Sequence, residues 1–339
     1  MSRFSTLPPG ERAIYINELA ARRGISTVIV EKDFWVVWAL AHLFALPLLK
    51  DQLVFKGGTS LSKVFGAIDR FSEDIDLSIS PVLLDFEEIA LEETSVSQRQ
   101  KRMKKLEEKS IEVVRQQITP LLESSFQTEL GSPLTGESWL ICQVDAASHS
   151  PVVLFQYPQS VSDTISYIPK VVKIEFGSLT DQRPVGARRI APLVAELGAD
   201  LFEDFSANVV ALEIERTFWE KATILHAEYH RPQEKPMRDR FSRHYSDFAA
   251  LWRHPGGQSA HTDIDLLERV VLHKSRFFAS GWAKYDLAIP GSLRLTPPDY
   301  RMTELKADYE KMTDMFLSPP PPFESILTTV REAEAAINR

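Results

Sequence analysis

Cysteine is nearly absent from this 339-residue chain: Cys142 is the only one, so no disulfide framework can form within it, and that usage fits a reducing compartment. No apolar run approaches the length of a membrane span, and the start, MSRFSTLPPGERAIYINELAARRG, lacks the apolar centre of a signal peptide. A cytoplasmic location without a membrane partner is therefore expected. Positive charge is also in short supply. Lysine and arginine number 39 against 47 acids, and a net charge of −8 disfavours indiscriminate nucleic-acid binding, because affinity for a phosphate backbone comes mainly from cations that release counterions. The chain has no G-x-x-x-x-G-K-[ST], which excludes a P-loop NTPase, and no G-x-S-x-G elbow. His226 and His230 lie one helical turn apart, but HAEYH lacks the Glu that a zinc-protease helix carries directly after its first histidine, so a structural or surface pair is expected. Cys142, in an apolar strand candidate, reads as a buried inert thiol. There is no internal repeat. What remains is an ordinary globular composition, 44% hydrophobic and 25% charged, long enough for two modest domains or one large one.

The informative stretch is Val54 to Ile79, VFKGGTSLSKVFGAIDRFSEDIDLSI. An apolar run ends at Val54 and Phe55, Gly57 and Gly58 permit a tight turn, and Thr59 or Ser60 is placed to cap a helix through Leu61, Lys63, Val64 and Phe65. Such a helix start offers unpaired amides and partial positive charge to a triphosphate. Downstream, the period of a strand puts Asp74, Asp76, Ser78 and Ser80 on one face and Ile75, Leu77 and Ile79 on the other. Nucleotidyl transfer needs an activated hydroxyl, a neutralised α-phosphate and a held pyrophosphate, which is the work of magnesium on carboxylates and substrate phosphates. Asp74 and Asp76 are suitable ligands. A bare Asp-x-Asp more often marks the solvated edge of a sheet, and the glycine turn upstream is what favours a metal site.

Elsewhere, residues 9 to 23 and 27 to 46 read as helices, and a polar helical region runs from about Pro81 to Glu129 with a break expected near Thr119-Pro120. Strands are expected at Trp139 to Val144, Val152 to Tyr157 and Lys170 to Phe176. After Phe205 the pattern is helical: Ala211 to His230, Arg238 to Trp252, Asp263 to Ser280, Tyr300 to Phe316 and Phe323 to Ile337. Lys221 falls on a face distinct from Ile214, Phe218, Ala222 and Leu225, where a lysine either is solvated or reaches into a cleft. Asp247 follows Arg243 by four residues and His244 by three, the spacing of a surface ion pair. Two basic clusters stand out. Arg99, Lys101, Arg102, Lys104 and Lys105 read as a solvated helix face, whereas Arg231, Lys235, Arg238, Arg240, Arg243 and His244 lead up to Asp247 and are candidates for phosphate contact. Ser72 suits either a phosphate or a turn.

The run Gly-Gly-Thr-Ser-Leu followed by Ser72-Glu73-Asp74-Ile75-Asp76-Leu77 resembles the first motif of the AbiEii/AbiGii-type nucleotidyltransferases, toxins of bacterial toxin-antitoxin and abortive-infection systems that include the MenT proteins. EKDFW at 31 to 35 resembles the family's helical lead-in, ERTFWEKATILHAEYHR at 215 to 231 the helix bearing its motif lysine, and SRHYSDFAAL at 242 to 251 its last motif. The likeness spans roughly residues 28 to 252. It implies an α+β protein, with a polymerase-β-like nucleotidyltransferase sheet domain and N-terminal helices over 1–205 and a helical domain over 206–339 closing the active-site cleft. By the same resemblance, Asp74, Asp76, Lys221 and Asp247 are catalytic, with Asp247 orienting Arg243 or the incoming hydroxyl. Gly57, Gly58, Thr59, Ser60, Lys63, Ser72 and Arg243 bind nucleotide, and magnesium, or alternatively manganese, sits on Asp74 and Asp76. Proteins of this fold commonly draw a third carboxylate from a later strand. Glu175 is the candidate, with a partly exposed Lys-Ile-Glu strand as the plain alternative. The resemblance further implies a nucleoside triphosphate donor, CTP or UTP, a tRNA 3′ end as acceptor, blocked translation and a cognate antitoxin. Transfer to a protein or small molecule, or a binding module without catalysis, are the rival readings.

Overall fold

A computed structural model describes residues 2–86, 95–133, 136–146, 148–162, 168–198 and 206–339. Two compact units are present, one of residues 1–64 with 72–211 and a second of 65–71 with 212–339. The boundary expected after Phe205, and residues 87–94 of the expected polar helical region, fall outside the described residues.

The first unit contains helices α1 (Ser2–Ser5), α2 (Pro9–Arg23) and α3 (Thr27–Ala45). TVIVEKDFWVVWALAHLFA is apolar round most of its circumference, so α3 is buried on nearly every side. Ser26 caps it by accepting from the Val28 amide at 3.2 Å, and Pro47 holds Leu46 extended and stops it. Then come β1 (Leu53–Lys56), α4 (Gly57–Lys63), β2 (Ile75–Ile79), α5 (Val96–Val113), α6 (Thr119–Leu130), β3 (Leu140–Val144), β4 (Pro151–Phe155), β5 (Val172–Gly177), β6 (Val185–Ile190) and β7 (Ala207–Leu212). Among the described residues the strands form one mixed sheet, in the order β3-β4-β5-β2-β1-β7-β6. β2 runs antiparallel to β1 and parallel to β5, and the register aligns Lys56, Asp76 and Glu175 across the three. Facing pairs share a side of the sheet, so these polar residues lie on one face while Phe55, Ile75, Leu77, Ile174 and Phe176 line the other. On that apolar face Trp35 and Trp38 of α3 and Phe126 of α6 close on Phe155, with ring centroids 5.8, 5.5 and 4.6 Å away. These aromatic contacts lock α3 to the sheet.

Several expectations are corrected. The helix does not break at Thr119-Pro120. Val114–Ile118 forms a single π turn, Thr119 Oγ1 donates to the Val114 carbonyl at 2.7 Å, and Pro120, which has no N–H to lose, sits at the start of the next segment. Strands do not end at Phe205, since Ala207–Leu212 pairs in parallel with β1 through Phe55 and Ala211. That strand is buried at Ala207, Val209, Ala211 and Leu212 and is separated from the next helix by Glu213 alone, so the sequence shows no clean alternation there. The edge strand β6 was also not expected; VGARRI has no apolar period, and it is paired only because a neighbour supplies hydrogen-bonding groups.

The second unit is helical: α7 (Ile214–Tyr229), α8 (Ser242–Arg253), α9 (Pro255–Ala260), α10 (Ile264–Phe277), α11 (Met302–Lys311) and α12 (Phe323–Ile337). α8 packs against α7, α9, α11 and α12. Asp308 of α11 closes the start of α8 by accepting from the amides of Arg240 and Ser242 at 2.7 and 2.8 Å. The helix expected from Tyr300 to Phe316 is confined to Met302–Lys311. Residues 65–71 join this unit as a strap: Phe71 N donates to Met315 O at 2.7 Å and Leu317 N to Asp69 O at 3.2 Å.

Candidate active site

In the first unit β1 passes into α4 without an intervening residue. Gly57 makes the turn with φ of +80°, a region that penalises any side chain. A Cβ at Gly57 would lie 2.0 Å from Asp76 Oδ2, so the Asp76 carboxylate rests directly on the glycine backbone at the mouth of the turn. Thr59 does not cap the helix, contrary to expectation; α4 has no side-chain cap, and Thr59 Oγ1 instead donates to the Asp74 carbonyl at 2.5 Å. That bond ties α4 to the residue that leads into β2. Ser60 is buried, and Ser72 is half-buried two residues before Asp74. Lys63, on the last turn of α4, pairs with the buried Asp33 and reaches the Ala191 carbonyl at 3.4 Å. A triphosphate would have to compete for it.

Burial, followed by the charges of Asp76, Glu73 and Glu175, pushes the Asp74 carboxyl up to about 6, with Lys173 offsetting only part. Glu175 lies in register with Asp76 on the parallel neighbour, and its carboxylate pairs with Lys173. Among the described residues no three His, Cys, Asp or Glu side chains form a metal-holding group by themselves. The donor set nevertheless fits magnesium, which commonly takes one or two carboxylates and completes its octahedron with water and substrate phosphates. Asp74 and Asp76 would hold it, and the concentration of acid that raises Asp74 is the local field a divalent cation relieves.

The second unit contains a separate buried charge cluster. Arg70 grips Asp247 with two parallel bonds, Nε to Oδ1 at 2.7 Å and Nη2 to Oδ2 at 2.8 Å. Lys221 Nζ donates to Asp247 Oδ2 at 2.7 Å and lies 3.1 Å from His244 Nδ1. Burial pushes the Asp247 carboxyl up, but Arg70 and Lys221 together outweigh it and hold the group well below the usual carboxylate range. Burial likewise depresses Lys221, more than pairing with Asp247 raises it, and burial beside Lys221 and Arg243 keeps His244 neutral. A neutral His244 accepts at Nδ1 from the ammonium. Lys221 is therefore buried and paired with Asp247, and Asp247 is held by Arg70 and Lys221. Sequence reasoning missed Arg70. Its one signal was an arginine in a short segment that also carries the apolar Ala67, Ile68 and Phe71.

The basic run before Asp247 divides into unlike roles. Arg231 and Lys235 lie over the Trp282 ring at 5.3 and 6.0 Å, the Arg240 amide binds Asp308, and Arg238 is exposed. His226 accepts from Arg294 N at 3.0 Å through Nδ1 and meets the Lys284 carbonyl at 2.9 Å through Nε2, so both its ring nitrogens serve the backbone. Cys142 is half-buried on an edge strand.

An α+β unit in which a strand, a glycine turn, a helix and a second strand set two carboxylates on one polar face has the equipment of a nucleotidyltransferase. The chain belongs to the AbiEii family, the nucleotidyl transferase toxins of type IV toxin-antitoxin systems, whose sequence model matches residues 38–329. No curated protein matches it in sequence. Among solved structures it is similar to MenT4, a nucleotidyltransferase toxin from Mycobacterium tuberculosis H37Rv, at 15% identity and a TM-score of 0.44, over 96% of this chain and 99% of that one. No helix among the described residues is long and apolar enough to cross a membrane.

Proposed function

We propose that this toxin transfers a nucleotide from a nucleoside triphosphate, CTP or UTP, to the 3′ end of tRNA and thereby blocks translation until a cognate antitoxin restrains it. The observation that carries the chemistry is the Asp76 carboxylate set against the Gly57 turn, with Asp74 beside it and electrostatically coupled to it. Asp74 and Asp76 would hold the divalent cation, and the amides of Gly57, Gly58, Thr59 and Ser60 would receive the triphosphate oxygens. The cation, when bound, supplies charge neutralisation at the α-phosphate and lowers the pKa of a coordinated hydroxyl. The acceptor hydroxyl gives up its proton to solvent and its oxygen attacks the α-phosphorus, forming one P–O bond as the bond to pyrophosphate breaks. Lys221 offsets phosphate charge, Asp247 sets its direction, and Lys63, Ser72 and Arg243 contribute further phosphate contacts. Glu175 steadies the carboxylate pair from the adjacent strand.

The acceptor is tested with purified protein, magnesium, each α-labelled triphosphate and deacylated tRNA. Label on the tRNA 3′ end, lost in Asp76→Ala, is the expected result. Label appearing only on protein or a small molecule would overturn the RNA acceptor and keep the transferase. Because the chain is acidic overall, RNA binding should fall with salt along a shallow slope that reflects few phosphate contacts. Neutralising Arg238, Arg240 and Arg243 together should weaken RNA binding more than metal binding.

A further inference from the structure

Three consecutive charged side chains, Glu31, Lys32 and Asp33, are fully buried in the early turns of the otherwise apolar α3. Buried charges are costly unless each is paired. Successive helical residues point about 100° apart, so each of the three meets a different part of the unit. The Glu31 carboxylate accepts from the Ser160 amide at 2.5 Å, and Asp33 accepts from the Leu193 amide at 2.6 Å while pairing with Lys63. Lys32 Nζ, with a side chain 0% exposed, donates at 2.8 Å both to Glu73 Oε2 and to the Pro169 carbonyl. Glu73 immediately precedes Asp74 at the entry to β2. Pro169 stands just ahead of β5, whose Glu175 lies in register with Asp76. One ammonium thus ties the entry of β2, the strand that carries the candidate metal ligands Asp74 and Asp76, to the entry of β5, its parallel neighbour. It also neutralises Glu73, the acid nearest in sequence to Asp74.

We propose that Lys32 is a positioning residue for the carboxylate pair, fixing Asp74 and Asp76 for a divalent cation through its hold on Glu73 and Pro169. The proposal rests on the transferase reading of the same site. A tie that served stability alone would lose its purpose once both charges were removed together, because replacing both partners of a buried pair by apolar groups of similar shape is nearly neutral for folding.

The test uses full-length wild type, Lys32→Met, and the double variant Lys32→Met/Glu73→Met, with three readouts: the thermal midpoint, the Mn2+ dissociation constant from EPR of free Mn2+, and kcat separately from KM. Lys32→Met alone strands a buried Glu73 and should melt well below wild type. The double variant should regain most of the lost midpoint, yet bind Mn2+ about 10–100-fold more weakly, the range for loss of a group that orients ligands, with kcat falling and KM for triphosphate little changed. A double variant with wild-type Mn2+ affinity and kcat would overturn the role of Lys32 and leave the carboxylate site standing. A double variant that fails to fold would make the pair scaffold and also overturn it. Wild-type protein that binds no Mn2+ would remove the carboxylate site itself, and this proposal with it.

Discussion

Asp247→Asn keeps the shape of the side chain and removes its charge, leaving Arg70 and Lys221 buried in the second unit without the carboxylate that both contact at 2.7–2.8 Å. Removing one partner of a buried ion pair costs about 3–5 kcal/mol. The amide oxygen still accepts one bond, so the lower part of that range, about 3 kcal/mol, is expected. For a unit of this size that corresponds to a fall of about 10–15 °C in its midpoint, resolvable by calorimetry. The pH dependence provides a second check. Arg70 and Lys221 overcome burial and depress the Asp247 carboxyl, so its stabilisation is fully present above the unfolded value of about 4 and is lost only as pH falls through the lower native value. The gap between wild type and variant should be flat from about pH 5 to 8 and close in acid. Lys221, already depressed by burial, loses its countercharge in the variant and sheds its proton more readily, so the gap should also narrow toward alkaline pH. A variant that melts within 3 °C of wild type at pH 7 (about 1 kcal/mol or less) while losing all transfer would refute the latch and make Asp247 a chemical group.

Asp74→Asn should stabilise the metal-free protein at pH 7.5, by up to about 3 kcal/mol, because a carboxyl raised to about 6 destabilises the fold once ionised. The gain should be absent near pH 4 and complete only above about 6, and a melt series with no pH dependence would count against it. Gly57→Ala places a Cβ 2.0 Å from Asp76 Oδ2 at a positive φ, so transfer should drop at least about tenfold as Asp76 is displaced, with a stability cost of about 1–3 kcal/mol. Unchanged Mn2+ binding in that variant would show that the contact is not needed. Lys221→Ala should cost about 2–4 kcal/mol in kcat/KM, measured by initial rates, and Lys221→Arg should not restore it, since a planar fork cannot reproduce the ammonium's contacts with Asp247 and His244.

The strand-turn-helix-strand geometry of the motif was legible in the sequence because it is local. Gly57, Asp74 and Asp76 lie within twenty residues of one another, and strand alternation alone put Asp76 on the face opposite Ile75, Leu77 and Ile79. Helices α2, α3 and α12 were readable for the same reason, as their apolar residues and the prolines or serine that start them, Pro9, Ser26 and Pro322, lie within or directly beside the segment. Charged partners were not legible. Lys32 and Glu73 are 41 residues apart, Arg70 and Asp247 177, and nothing in either segment names the other. Lys221 illustrates the consequence, since a lysine off the apolar stripe reads as accessible until a distant carboxylate makes burial affordable. β6 and β7 failed for a related reason: a strand's hydrogen bonds belong to its neighbours, so a segment without clean alternation becomes a strand only once the sheet exists. Sequence thus determined how close the glycine turn and the acidic strand lie and which way the strand's side chains alternate, because spacing within a strand or turn is covalent. Tertiary structure alone decided which of the other charges are held and by what, because that depends on desolvation and contact between segments the chain keeps far apart.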